Sequence, residues 1–250
     1  MKILLMLSVL LLASCSSTPV KEGGSKAETL FFDIERSIKN GRYLLALEKI
    51  DTLRSKYPFS IHAIPAELLR AEIFVKQENY ADAIDAFTTF ANFHPRHKKI
   101  EYVYWMIAES NFRLIPDTVD RDLTMAREAI LAYRKLIQRF PGTDYAKKSK
   151  EKILTSIDLI EEREEYVADF YYKTKKYHAA KYRYSGIIEK TQNTKRKKKA
   201  ARRVIRSFVA LKSWEECISY SSDFYARGLI DEKISDNFRQ KCEKKLRKAK

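Results

Sequence analysis

Six glycines and six prolines in 250 residues are too few to punctuate a chain of short strands and tight turns, and few segments alternate apolar with polar side chains. A β-rich fold is thereby excluded, and an all-α chain is expected. Cysteine is almost as scarce, at three residues. Cys217 stands where a helical repeat wants a small residue and Cys242 lies in the charged tail, so metal-ligand spacing is absent. An oxidising compartment would let these two pair, but isolated thiols do not make a disulfide scaffold, and both are expected to stay free. The four histidines, His62, His94, His97 and His178, are scattered, and the pair flanking Pro95-Arg96 lacks further ligands, so no metal site is expected. There is no glycine-rich phosphate loop, no Gly-x-Ser-x-Gly elbow and no paired-carboxylate motif, which argues against an enzyme. Acid is also in deficit. With 49 Lys and Arg against 33 Asp and Glu, the formal charge of +16 implies an acidic counterpart, whether nucleic acid, lipid headgroups or a protein face.

What is present begins with an apolar run from Ile3 to Leu12, broken only by Ser8, preceded by Lys2 and closed by Ala13-Ser14-Cys15. Its roughly ten residues are half of the about twenty that a membrane-spanning helix needs, so the run reads as an export signal. The small-small-Cys ending resembles a bacterial lipobox. That resemblance implies cleavage before Cys15 and a covalent lipid on it, the sole non-protein group expected. An ordinary secretory signal with Cys15 merely adjacent is the other reading. Several acyl chains anchor a protein stably where one does not, which places the mature chain on a membrane rather than through it. Ser16 and Ser17 stand where aspartate would signal inner-membrane retention, which favours the periplasmic face of the outer membrane. Residues 1–14 are thus assigned to the signal and 15–26, with Pro19, Gly23 and Gly24, to a lipidated flexible tether.

From there the chain, 27–250, is periodic. Tyr43 is followed by Ala46 after three residues and by Pro58 after twelve more, and Tyr80, Ala83 and Pro95 repeat those offsets. Ala129 and Pro141 keep the twelve-residue spacing, while Tyr177 with Ala180 and Trp214 with Cys217 keep the aromatic-to-small offset. Nine residues before the small position, Phe74, Tyr171 and Phe208 mark one site on the preceding helix. A small residue lets two helices cross closely, the aromatic packs into the crossing and the proline ends the pair. The pattern resembles tetratricopeptide repeats with longer units. It predicts an α-solenoid of five helix pairs at about 27–57, 63–93, 100–140, 144–190 and 198–227, closed by a basic helix at 231–250. A polar insertion at 114–122 interrupts the third pair, and one helix of roughly 28 residues is expected to bridge the third and fourth.

The strongest charge feature is Lys195, Arg196, Lys197, Lys198 and Lys199, continued by Arg202, Arg203 and Arg206. It reads either as a solvated helix start or as a docking surface for an acidic partner or anionic lipid. Nucleic acid suits an exported lipoprotein poorly, and the fifteen Tyr and thirteen Phe recur at repeat positions, which marks them as core.

Lipobox, tether, five helix pairs, insertion and bridging helix follow one another in an order that resembles the BamD family, the tetratricopeptide lipoproteins of the β-barrel assembly machinery. The most specific stretches are Lys56-Tyr57-Pro58-Phe59, His94-Pro95 with Ile100-Glu101-Tyr102-Val103, Val119-Asp120-Arg121-Asp122, Glu165-Tyr166-Val167-Ala168 and Tyr171-Tyr172. The resemblance implies a scaffold that binds a POTRA domain of the barrel subunit BamA through its C-terminal repeats. It also implies an N-terminal groove for the C-terminal segments of unfolded outer-membrane proteins or, in some lineages, another Bam lipoprotein. Arg183 matches a repeat 4 arginine that pairs with a POTRA carboxylate; an ordinary exposed helix arginine is the alternative. Tyr57, Phe59, Tyr80 and Tyr102 are the groove candidates, each equally able to serve packing. The C-terminal half departs from the family in lacking the later prolines and in its basic charge. Rival readings are a pilotin-like lipoprotein of a pilus or secretion system and a binding protein for DNA uptake or the cell wall.

Overall fold

The structure, a computed structural model, describes residues 25–249, and the eleven elements found there are all α-helices. They divide into two compact units, the first ending at Ile73 and the second beginning at Phe74. The signal, Cys15 and nearly all of the tether lie outside the described residues.

The first unit holds α1 (Lys26–Lys39), α2 (Tyr43–Lys56) and most of α3 (Ala63–Lys76). Ser25 caps α1 by accepting the Glu28 amide, and Arg36 and Lys39 complement the dipole at the other end. Ile34 of α1 packs with Ala46, Ile50 and Leu53 of α2 and with Ala63, Ala66 and Ile73 of α3.

The second unit continues with α4 (Tyr80–Phe93), α5 (Ile100–Arg113), α6 (Thr124–Arg139), α7 (Asp144–Lys173), α8 (Tyr177–Lys190), α9 (Thr194–Ala210), α10 (Trp214–Ala226) and α11 (Glu232–Arg247). From α4 onward each helix packs on its neighbours in chain order, and α7 also reaches α5. This is the construction rule of a solenoid, in which stacked pairs share one continuous core. Capped by Thr143 and lacking Gly and Pro, α7 runs 30 residues, about 45 Å, as one helix. The polar insertion forms the loop between α5 and α6. Asn193 caps α9 through the Arg196 amide, which starts that helix at Thr194, four residues before the expected position.

The small residues of the repeat, Ala46, Ala83, Ala129, Ala180 and Cys217, are each 0% exposed. Four of the five pairs also share a turn that the spacing alone did not reveal. Two positions before the aromatic, the backbone is left-handed: Gly41 at φ 71°, Glu78 at 57°, Lys175 at 61° and Lys212 at 58°. The next amide then bonds back to the preceding helix, to Ser37 (2.8 Å), Phe74 (2.9 Å), Tyr171 (2.9 Å) and Phe208 (3.0 Å). Three of these acceptors are the repeated aromatic site. It therefore supplies a ring to the core and a carbonyl to the turn.

The expectation of two free C-terminal thiols is overturned. Cys217 and Cys242 form a disulfide that ties α10 to α11, with Cα atoms 6.3 Å apart. Ser235, Phe238 and Cys242 recur at helical spacing and turn one stripe of the charged tail onto α10, where both sulfurs are buried. Charge counted along the tail hid that stripe.

Because an L-residue with positive φ costs about 1–2 kcal/mol, Lys175→Gly and Lys212→Gly are each expected to raise stability in urea by about 1 kcal/mol. Gly41→Ala should lower it by a similar amount although its new Cβ would touch nothing. Lysine variants no more stable than the parent would remove the strain from this account.

Candidate docking site

A cavity of about 400 Å³ opens between α7 and α8, lined by Ile160, Glu161 and Glu164 on one side and by Tyr182, Arg183 and Ile187 on the other. The α7 turn that provides Glu161 and Glu164 also directs Ile160 inward, so the notch has an apolar floor and charged walls. At its rim Arg183 Nη1 donates to Glu164 at 3.3 Å, the two side chains being 42% and 40% exposed. An ion pair this open contributes at most about 1 kcal/mol, so an incoming carboxylate can take its place. Arg183 thus has the exposure and free donors for bidentate contact, and Tyr182, 76% exposed, stands beside it.

Beneath the notch the α7–α8–α9 packing rests on charges buried from one side. Arg196 is only 14% exposed and meets Glu161 at 3.1 Å, Glu165 at 3.3 Å and Asp158. Lys199 bridges Glu165 and Asp169, the latter at 3.1 Å, and Asp169 also accepts from the Tyr184 hydroxyl. Burial alone would raise the Asp169 pKa, but the Tyr184 hydroxyl and the Lys199 ammonium hold it below the usual carboxylate range. Burial likewise works against the charges of Arg196 and Lys199, and their carboxylate partners prevail and raise both. Tyr184 is pushed up by burial and by its bond to Asp169. A parallel arrangement joins α5, α6 and α7: Tyr133 donates to Glu109 at 2.9 Å, and Lys152 meets Glu109 at 3.3 Å and the Phe112 ring.

Of the predicted basic run, Arg196 is therefore committed inside the protein, Lys199 is ion-paired while still 44% exposed, and the Arg203 guanidinium lies 4.5 Å from the centre of the Tyr172 ring. Arg202 reaches Asp231 at 3.7 Å. Lys195, Lys197 and Lys198 have no ion pair among the described residues. The carboxylates that neutralise the run, Asp158, Glu161, Glu165 and Asp169, were missed. Their recurrence at three-, four- and four-residue steps along one face of α7 was the available signal.

The aromatic candidates separate as well. Within the first unit Phe59 is 99% exposed and Tyr57 half-buried, and the structure adds Ile61, 85% exposed, in the same α2–α3 loop. Within the second, Tyr80 opens α4 half-buried and Tyr102 stands edge-on to the Phe87 ring at 6.4 Å. No group of three or more potential metal ligands occurs among the described residues, and no helix there is long and apolar enough to cross a membrane.

A family model described as YfiO, an outer membrane lipoprotein, matches residues 24–219. The chain is 26% identical over 184 residues to the outer membrane protein assembly factor BamD of Vibrio cholerae, covering 70% of the chain and 76% of that relative. For the factor of the same name in Neisseria gonorrhoeae the identity is 28% over 210 residues, covering 78% and 79%. For that of Rickettsia prowazekii it is 29% over 181 residues, covering 72% of each. Among solved structures, the TPR domain of P58(IPK) aligns with 90% of the chain and 66% of its own length at TM-score 0.43 and 10% identity, too loose a likeness to carry weight.

Since Asp169 is held below its ordinary value, its contribution to stability is present above the unfolded carboxylate pKa of about 3.9 and is lost as pH falls through the folded value. The urea midpoint of the parent should exceed that of Asp169→Asn near pH 6, and the gap should close below about pH 4. A gap that stays constant down to pH 2.5 would contradict the assigned role.

Proposed function

The chain belongs to the YfiO family of outer-membrane lipoproteins, and on that premise we propose that it is an outer-membrane protein assembly factor. It acts without catalysis, as a scaffold anchored through lipid on Cys15 to the periplasmic face of the outer membrane. Its C-terminal repeats dock to a POTRA domain of BamA, and the exposed aromatic surface around Phe59 accepts C-terminal segments of unfolded outer-membrane proteins. Other Bam lipoproteins are further candidate partners.

The observation that carries the reading is the state of Arg183. A guanidinium fixed by rigid helix packing, on the rim of an apolar notch and held only by an open ion pair, suits capture of a carboxylate on a folded partner domain. That relatives named as assembly factors share more than two thirds of the chain supports the same role. Phe59 and Ile61 offer apolar area at a loop tip, which suits extended client segments better than a folded partner.

The test is recovery of partners from mild detergent with the tagged, lipidated protein. Arg183→Glu should reduce recovery of the POTRA-bearing barrel subunit at least tenfold, because truncating or reversing one member of a docked charge pair costs about 2–5 kcal/mol. Helical content should not change. Undiminished recovery would remove Arg183 from the site, and recovery of a secretin in place of a barrel subunit would overturn the assembly role.

A further inference from the structure

Helix α9 carries its cations in two rows. The inner row, Arg196, Lys199 and Arg203, faces α7 and is taken up by Asp158, Glu161, Glu165, Asp169 and the Tyr172 ring. The outer row is Lys195, Lys198, Arg202 and Arg206, at steps of three, four and four residues on one side of the helix. It spans about 16 Å. Its only ion pair among the described residues is Arg202 with Asp231, and the Arg202 Nε is enclosed without a hydrogen-bond partner. Lys195, Lys198 and Arg206 have none. The row borders an open cavity of about 610 Å³ lined by Thr194, the four outer cations and, from the inner row, Lys199 and Arg203.

Arg202 apart, these cations make no ion pair within the described residues. The first turn of α9 contains no acidic residue, so Lys195 crowds the positive end of the helix dipole, where like charge is destabilising. The carboxylates of α7 relieve this for the inner row only. We infer that the outer row of α9 is a binding surface for the headgroups of anionic phospholipid, a second attachment to the bilayer that holds the acyl anchor. The inference goes beyond the assembly role and stands on the lipoprotein family, not on docking at Arg183.

The chemistry of the row selects lipid over a protein face. Protein interfaces concentrate their affinity in desolvated aromatic and apolar anchors and are poor in lysine. No apolar side chain lines this cavity. Mobile, closely spaced phosphates need neither an anchor nor a shaped pocket, only several cations held on one side of a rigid element, each strengthening binding about fivefold at low salt. Beside a lipid anchor, a basic row adds an electrostatic contact with the headgroups to the apolar hold of the acyl chains.

The experiment uses the full chain carrying Cys15→Ala, so that no acyl group contributes. It measures flotation with phosphatidylcholine vesicles against vesicles containing 30 mol% phosphatidylglycerol, the leader with its Lys2 being common to every variant compared. Lys195→Gln/Lys198→Gln/Arg206→Gln touches no ion pair among the described residues and leaves folding intact. It should cut the preference for the anionic vesicles roughly 10²-fold. A control with the same loss of charge on α11, Lys241→Gln/Lys244→Gln/Lys245→Gln, should keep most of that preference. The inference is overturned if the α9 variant retains the preference or if the control loses it equally, since net charge rather than the row would then bind. It is also overturned if the α9 variant keeps its vesicle preference but loses a protein partner or duplex DNA.

Discussion

Everything in this molecule depends on how closely the two helices of a repeat approach. At the crossings that lie within one unit the side chains are Ala46, Ala129, Ala180 and Cys217, and none exposes any surface. A larger residue would push the helices apart and force neighbouring rotamers off their minima, at a cost of about 1–3 kcal/mol per site. The close crossing sets the turn that follows the first helix, which is why four turns pass through a left-handed residue although three of them carry glutamate or lysine there. Backbone strain is accepted where the packing of the pair requires it. The third pair escapes the constraint because its inserted loop gives the chain another route.

Hydrophobic stacking accounts for the core, and the polar relays fix how one pair sits on the next within the second unit. Tyr133 and Tyr184 each lie four residues after their crossing alanine, and each donates to a carboxylate of the preceding helix that a lysine of the following helix also holds. Each relay therefore ties three consecutive helices together. Satisfied groups of this kind rigidify and specify a packing, whereas removing one member leaves the others exposed to the full cost of burial. A rigid α7–α8 face is what a half-exposed Arg183 needs to meet a partner without losing freedom on binding. Paired cations on the inner side of α9, and outer ones without an α7 partner, follow from the same placement of acids along α7.

The repeat was legible because its signal is steric: one small residue at a fixed offset from an aromatic leaves little choice of fold. Continuity of α7 was legible for a similar reason, as thirty residues without Gly or Pro have nowhere to break. The site was less so. Arg183 could be named through resemblance, but its pairing with Glu164 depends on a partner nineteen residues away on another helix. The basic run looked uniform along the chain and divides only when folded, because sequence order does not show which side of α9 meets the acids. Cys242 was misjudged on the charge of its neighbours when the three-and-four spacing of Ser235, Phe238 and Cys242 was the better guide. Phe59 could not be told from Tyr57 or Tyr102 until exposure distinguished them.

The molecule is an all-α member of an outer-membrane lipoprotein family whose chemistry lies on its surfaces: an aromatic loop tip in the first unit, and an arginine notch and a basic row in the second. The most direct test of that account is to deplete the protein from its own cells and follow the folded fraction of outer-membrane β-barrel proteins by their heat-modifiable migration. The account predicts that newly made barrel proteins stay unfolded as the protein disappears and fold again when it is restored. Barrel proteins that continue to fold and insert at the normal rate after depletion would contradict it.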